Sequence, residues 1–413
     1  MFSDLLSVFA DAIDFLFILI PIALPIILVW IAVKMYTDYT ATAFEAKQEY
    51  ILLEVTPPQE VTKTPAAMEL FFTAIHWTGG ETTWIKKYIQ GSRRPFFSLE
   101  MASIGGVVHF FIYTRKGFKD LIESQLYAQY PGIEVKQVED YAQKFVYDES
   151  KRDFFGMEFQ LSEPDPYPIK TYVDYGLEGS IKEEEKIDPL TIVIETLASC
   201  GPGEQMWFQY IIKTHKKEDK DPNSWFKKTD NWVNTAKEEI KKIRQDSLTE
   251  VVKGDKKEQV SIQTEGQKKK IIALERSVSK LAYDVGFRTM YLAEKDAFVG
   301  TRIPAMLNAS KQYNSADLNG FKYAHGIGFD YPWQDFMGIR EKAHKKEMLQ
   351  AYKDRAFFGK EIPGIFGGKM RKSFVLNTEE LATIYHFPGQ VASTPTLRRV
   401  ESRKSTPPPN LPV

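Results

Sequence analysis

Residues 96–114 read FFSLEMASIGGVVHFFIYT. Phe96–Ser103 has the composition of a strand, Gly105-Gly106 supplies a turn, and Val107–Thr114 is a strongly apolar second strand. Upstream, Tyr50–Val55 is a short apolar strand closed by Thr56-Pro57-Pro58. Thr64 is placed to cap a helix that opens on Pro65, a preferred first position. That helix carries Met68, Leu70, Phe71, Phe72 and Ile75, and Gly79-Gly80 end the element. Downstream, Lys116–Tyr130 spaces Phe118, Leu121, Ile122, Leu126 and Tyr127 as a helix does, and Pro131-Gly132 stop it. Ile133–Val138 then alternates as a strand. The order is β-α-β-β-α-β, which predicts an α+β fold with a ferredoxin-like first domain over residues 48–175. Its last part, Asp140–Val173, reads as a β-rich extension with a proline loop at Pro164–Pro168.

Gly176–Lys186 is a polar, acidic linker, and a second α/β domain is expected over 187–325. Asp188 is placed to cap a helix opening on Pro189 and carrying Leu190, Ile192, Val193, Ile194 and Leu197. An aromatic strand at Gln205–Lys213 follows Gly201-Pro202-Gly203. The Lys/Glu-rich block 216–257 interrupts the pattern and predicts a helix over Ser224–Gln245. A helix near Gln267–Lys280 comes next. The strand Ala282–Ala293 then sets Tyr283, Val285, Phe287, Thr289 and Tyr291 on one face, and a short helix lies near Ile303–Gln312. The plan repeats that of the first domain, as a second ferredoxin-like unit and a diverged duplication would. Residues 326–390 form a helical region with helices at Gly338–Phe357 and Asn377–Tyr385, the latter with Asn377 and Glu380 as a capping pair. Residues 391–413 are a Pro/Arg-rich tail.

Before all this stands FLFILIPIALPIILVWIAV, Phe15–Val33. It has no charge, and as a helix it rises far enough to cross a hydrocarbon core of ~30 Å. Pro21 and Pro25 share a face and predict a kink or local loosening. Trp30 and Tyr36 lie where aromatic rings favour the interface. A cleaved signal would open on Lys or Arg, but the first basic residue is Lys34. The reading is an anchor over residues 15–36, marked by Phe15, Pro21, Pro25, Trp30 and Val33, with residues 1–14 outside. Asp4, Asp11 and Asp14 precede the span, whereas Lys34 and Lys47 follow it. The positive-inside rule therefore puts the body in the cytoplasm of a single-pass inner-membrane protein.

The chain has 413 residues, 43% hydrophobic and 13% aromatic, which is ample for packed cores and argues against disorder. Net charge is −1, so the whole chain has no electrostatic pull toward nucleic acid. Cys200 is the single cysteine, so neither an internal disulfide nor a Cys-based metal site is expected. Gly364–Met370, GIFGGKM, falls one residue short of a Walker A loop and ends on Met where the Mg²⁺-binding hydroxyl belongs. His76, His109, His215, His325, His344 and His386 show no ligand spacing, and His109 reads as a hydrogen-bonded core residue. No nucleophile elbow is present. No catalytic, cofactor or metal residue is therefore nominated, and the chain is expected not to be an enzyme. Two surface candidates remain. The helix 224–245 interleaves Trp225, Trp232, Lys228 and Lys241 as a membrane-surface helix would, though packing on its own domain explains the same stripe. Arg398, Arg399, Arg403 and Lys404 make a basic patch for phosphate or a partner, or a solvated linker.

Several blocks in fixed order carry a resemblance: ILLEVTPPQEVTKTPAAMELFFTAIH, FFSLEMASIGGVVHFFIYT, LIESQLYAQYPGIEV, DPLTIVIETLASCGPGEQMWFQYII, SKLAYDVGFRTMYLAE, NSADLNGF, FVLNTEELATIYHFP and the closing PPPNLP. Together they resemble the N-terminal membrane-anchored region, a domain of unknown function, of type IV secretion-like HerA/TraG-type ATPases of candidate-phylum bacteria. In those proteins a P-loop ATPase domain follows a Pro-rich junction like Ser405–Pro412; here Val413 stands at that point, and no ATP-site residue has a counterpart. The resemblance implies a non-catalytic, membrane-anchored scaffold or assembly subunit of a DNA- or protein-translocation machine. Its expected partners are the lipid bilayer, further copies of itself and a separate P-loop ATPase, with nucleic acid only indirect. The alternative is a membrane-surface adaptor using the Trp/Lys helix.

Overall fold

The computed structural model describes residues 2–59, 61, 63–178, 187–217, 219–220, 228–253, 256–261, 263–328, 331, 333, 335, 337–358, 372–389 and 397–400. Two units divide the chain, residues 1–49 with 78–94 and residues 50–77 with 95–413.

In the first unit, helix α1 runs over Phe2–Ala46, its helical assignment continuing through Pro21 and Pro25. From Ile20 to Ala46 it is long and apolar enough to cross a membrane, and none of its most apolar window is buried. A five-residue π-helical turn, Ile85–Ile89, completes the described structure of this unit.

The second unit is built on one antiparallel sheet. Its first half runs β1 (Tyr50–Thr56), α2 (Ala66–Ala74), β2 (Phe96–Ile104), β3 (Val107–Arg115), α3 (Lys119–Gln129) and β4 (Glu134–Val138). These strands lie in the order β4-β1-β3-β2. After the single turn of α4 (Tyr141–Lys144), the second half runs β5 (Arg152–Leu161), α5 (Leu190–Ala198) and β6 (Glu204–Thr214). An inserted segment follows with β7 (Asp219–Lys220), β8 (Lys228–Thr229), α6 (Asn231–Asp246), β9 (Leu248–Lys253), β10 (Lys256–Ser261) and α7 (Glu265–Ser279). The half resumes with β11 (Ala282–Glu294), α8 (Arg302–Asn308) and β12 (Phe321–Gly326). Here the order is β12-β5-β11-β6. Numbered within its own half, each set of four strands therefore stands in the order 4-1-3-2, with a helix after its first and third strands. Helix α9 (Ile339–Lys353), strand β13 (Phe374–Asn377), which pairs with β11, and α10 (Thr378–Ile384) close the chain path.

The halves are not separate sheets. β2 pairs with β6 along its whole length, with Leu99 opposite Tyr210 and Met101 opposite Phe208. From sequence alone the second half starts at Ile187, and Arg152–Leu161 falls with the first. β5 in fact pairs with β11 and β12, making it the opening strand of the second half. The Asp140–Val173 stretch alternates poorly because its strand is central and buried on both faces. The C-terminal region, read as helical, also contributes β13. Four residues are too few to show a period.

One face of the sheet carries the main core. Tyr283, Val285, Phe287 and Tyr291 are all fully buried there, as the alternation predicts, with Phe97, Leu99, Phe208 and Tyr210 beside them. Helices α2, α5 and α10 cover this face. α5 buries Leu190, Val193, Ile194 and Leu197 at helical spacing, and Asp188 accepts a hydrogen bond from Leu190 N at 2.8 Å at its start. Each such apolar side chain contributes about 1.5–3 kcal/mol on burial. α10 starts on the expected capping box: Asn377 receives Glu379 N and Glu380 N, while Glu380 accepts from Asn377 N at 2.9 Å. The predicted cap on Thr64 does not form; Pro65 itself precedes α2, with no side-chain bond. The opposite face of the sheet is covered by α4 and α9.

Candidate functional site

A buried charge cluster lies on that opposite face, at the joint between the halves. The pleat of β2 turns Phe97, Leu99 and Met101 into the main core and Ser98 and Glu100 the other way. Glu100 is fully buried directly opposite Gln209 of β6. A buried carboxylate survives only if paired and hydrogen-bonded. Arg355, just beyond α9, meets it with Nε at 2.9 Å from Oε1 and Nη2 at 3.1 Å from Oε2. Ser98 Oγ donates to Oε1 at 2.6 Å, Gln209 Nε2 to Oε1 at 3.0 Å and Tyr141 Oη to Oε2 at 2.8 Å. Arg355 also binds Asp140, through Nη1 and, at 3.0 Å, through Nη2. Burial works against the Arg355 charge, but Glu100 and Asp140 outweigh it and lift its pKa further above its ordinary value. Its guanidinium lies 4.3 Å from the Tyr113 ring centroid.

The backbone of Arg355 shows what this arrangement is worth. Its φ is +49°, a left-handed conformation that costs a non-glycine residue about 1–2 kcal/mol. The bidentate pair holds it there. Tyr141 and Tyr352 share a 2.7 Å hydroxyl contact, and burial raises both phenols, which therefore stay protonated and able to donate. Lys353 Nζ donates to Phe145 O at 2.7 Å, and Gln143 Nε2 to Lys353 O at 3.1 Å. The network thus fastens α4 from the first half, β6 from the second and the end of α9 at one point. Farther along, Arg288 of β11 is fully buried. It lies 3.4 Å from Glu158 of β5 and donates to Ala356 O at 2.7 Å. Gly286 makes room for Phe357, since a Cβ there would stand 2.3 Å from its ring. Every charge named here is engaged by another side chain or backbone group, so the cluster acts as a lock between elements.

The residues nominated from sequence fall elsewhere. Pro21, Pro25, Trp30 and Val33 lie on α1; Trp30 and Val33 are 64% and 57% exposed, as a lipid-facing surface requires. Phe15 lies on the same helix, and its side chain is outside the described residues. Trp225 also lies outside the described residues. Trp232 is a correction. It is 5% exposed and packs with Ala282 and Val375 against the sheet edge, so in this conformation its ring is unavailable to a membrane. Lys228 lies on β8 and Lys241 on α6, in a groove shared with α7. Arg398 is drawn onto the fold, 3.0 Å from Glu54, whose other partner is His109 Nδ1 at 2.8 Å. Arg399 donates to the carbonyls of Gln59 and Gly389. These two tail arginines are therefore held by the body itself. Arg403, Lys404 and Gly364–Met370 lie outside the described residues. Cys200 is buried, and burial pushes its thiol up to about 11, so it is unreactive at neutral pH. Among the described residues, no group of three or more His, Cys, Asp and Glu is placed to share a metal ion.

Sequence reasoning missed Glu100 and Arg355. The signal for the first was present, as an acid inside an otherwise apolar strand whose pleat faces it away from the core. No curated protein matches the chain. A family model, described as a domain of unknown function, DUF8128, matches residues 32–399, which take in β1 through β13 and the network at their joint, and the chain belongs to that family.

Proposed function

We propose that this chain is a membrane-anchored scaffold whose body holds subunits of a translocation machine in place. The observation that carries the reading is α1, apolar and unburied from Ile20 onward, in a chain whose other unit is a sheet covered on both faces. We read the two halves of that sheet as two ferredoxin-like units fused edge to edge, since both follow the 4-1-3-2 order. A fused, doubly covered sheet is stiff and suits a positional role. The resemblance of the sequence blocks to the anchored region of HerA/TraG-type proteins supports a P-loop ATPase as partner and self-association as the mode of assembly. The body then faces the cytoplasm and α1 crosses the inner membrane, in keeping with Lys34 and Lys47 after the span.

In-membrane crosslinking of the full chain, followed by mass spectrometry, tests this. Recovery of self-crosslinks or of a P-loop ATPase is the expected result. Recovery of neither overturns the scaffold reading.

A further inference from the structure

In the first unit, residues 78–94 meet α1 just beyond its apolar stretch. Gly91 has φ +63°, and a Cβ there would stand 2.1 Å from the carbonyl oxygen of Thr40, so glycine alone lets the two backbones touch. Thr40 Oγ1 donates to Tyr88 O at 3.3 Å. The tethered turn carries Trp84, Ile85, Tyr88 and Ile89, which are 67%, 45%, 49% and 46% exposed. Lys86 stands among them, beside Lys87, which pairs with Glu81 at 3.5 Å. Four large apolar side chains on one short turn are more than scattered surface exposure. On α1 itself, Tyr36 and Tyr39 are 52% and 71% exposed.

The helix says what covers this patch. Thr40 lies only about 10 Å of helical rise beyond Val33. The headgroup layer and an aromatic side chain together span a comparable depth. Aromatic rings interleaved with lysines match the membrane–water boundary, where an apolar body and a polar tip are both satisfied.

We propose that residues 83–90 form an interfacial foot on the bilayer that α1 crosses. Trp84, Ile85, Tyr88 and Ile89 enter the boundary between headgroups and acyl chains, and Lys86 meets anionic phosphates. A foot clamped to α1 at Gly91 fixes which side of the helix faces along the surface. The proposal rests on reading α1 as a span, and its test separates the two.

The full chain, carrying Cys200→Ser and one of Ile27→Cys, Ile85→Cys or Lys346→Cys, is spin-labelled in nanodiscs of phosphatidylcholine and phosphatidylglycerol. Collision with oxygen and with an aqueous nickel chelate is then read at each position. The expected result is a deep label at 27 and an aqueous one at 346. At 85, the oxygen-to-nickel ratio should be several-fold above that at 346 and should fall when phosphatidylglycerol is omitted. A deep label at 27 with a label at 85 as aqueous as that at 346 overturns the foot and leaves the span. A label at 85 shielded from both reagents overturns it in favour of a protein contact. An aqueous label at 27 removes the span and the foot together. An environment-sensitive non-natural residue at 85, in the chain with native Cys200, repeats the measurement without altering the core.

Discussion

The first half of the sheet turns from β2 to β3 on Gly105 and Gly106, whereas the second reaches the equivalent strand, β11, only after residues 215–281. The strand order is nevertheless the same in both. Strand pairing therefore fixes this architecture, and the hairpin joint tolerates either two residues or an entire inserted segment of helices and short strands. A long loop adds little closure entropy per residue, so the insertion is cheap once the strands on either side are held. The halves also differ where they meet. The first contributes an acid, Glu100, and the second a neutral amide, Gln209, so one arginine from outside both strands supplies the countercharge that Glu100 needs.

Breaking that balance should have the largest effect. Arg355→Met leaves Glu100 buried and unpaired, and should cost about 3–5 kcal/mol in denaturant unfolding. Adding Glu100→Leu to it should recover much of the loss, because an apolar pair replaces the ion pair. Equal loss in single and double variants would mean that Arg355 acts through its backbone conformation alone. Next, Trp232→Ala should remove about 3–5 kcal/mol of local packing from the insertion. Hydrogen exchange should then quicken over α6 while β6 and β11 keep their protection; quickening throughout the sheet would show that the insertion is integral to it. Third, Gly106→Ala places a Cβ 2.6 Å from the Cys200 carbonyl at φ +89°, and should cost about 1–3 kcal/mol, read from the denaturation midpoint. The same change at Gly105, where a Cβ meets nothing within 4 Å, carries only the penalty of its φ of +59° and should cost less.

The smallest effect is one of pH. His215 at the end of β6 bridges Asp284 at 2.6 Å and Asp230, the cap of α6, at 3.3 Å. Burial alone would depress its pKa, but the hydrogen bond and charge of Asp284, aided by Asp230, raise it above the usual imidazole value. This contribution is complete below the unfolded-state pKa of about 6.5 and disappears as pH rises through the folded-state value. Exchange protection in α6 should therefore fall as pH rises through that window, after correction for intrinsic exchange rates. In His215→Gln the fall should be absent.

How much of this was legible follows from the range of each interaction. The first half could be read almost residue by residue, because its elements are amphipathic or bounded by Pro and Gly. The Asn377–Glu380 capping box and the buried face of β11 were equally local. The edge-to-edge pairing of β2 with β6 was not, since two apolar strands do not name each other. The Glu100–Arg355 pair joins positions that nothing local connects, and the charge density of the α9 region concealed which arginine turned inward. The Trp232 stripe gave two readings from one pattern, membrane or core, and only the strand edge beside it decides for core. The foot at 83–90 escaped notice because five residues of π-helix carry no 3.6-residue period.

The most direct test of the scaffold account is the mass of the full chain in nanodiscs or detergent, by light scattering, with and without a candidate P-loop ATPase. The chain alone weighs 47.5 kDa. The account predicts a defined multiple of that mass, or a stable complex with the ATPase. A single-chain mass that the ATPase leaves unchanged would contradict it.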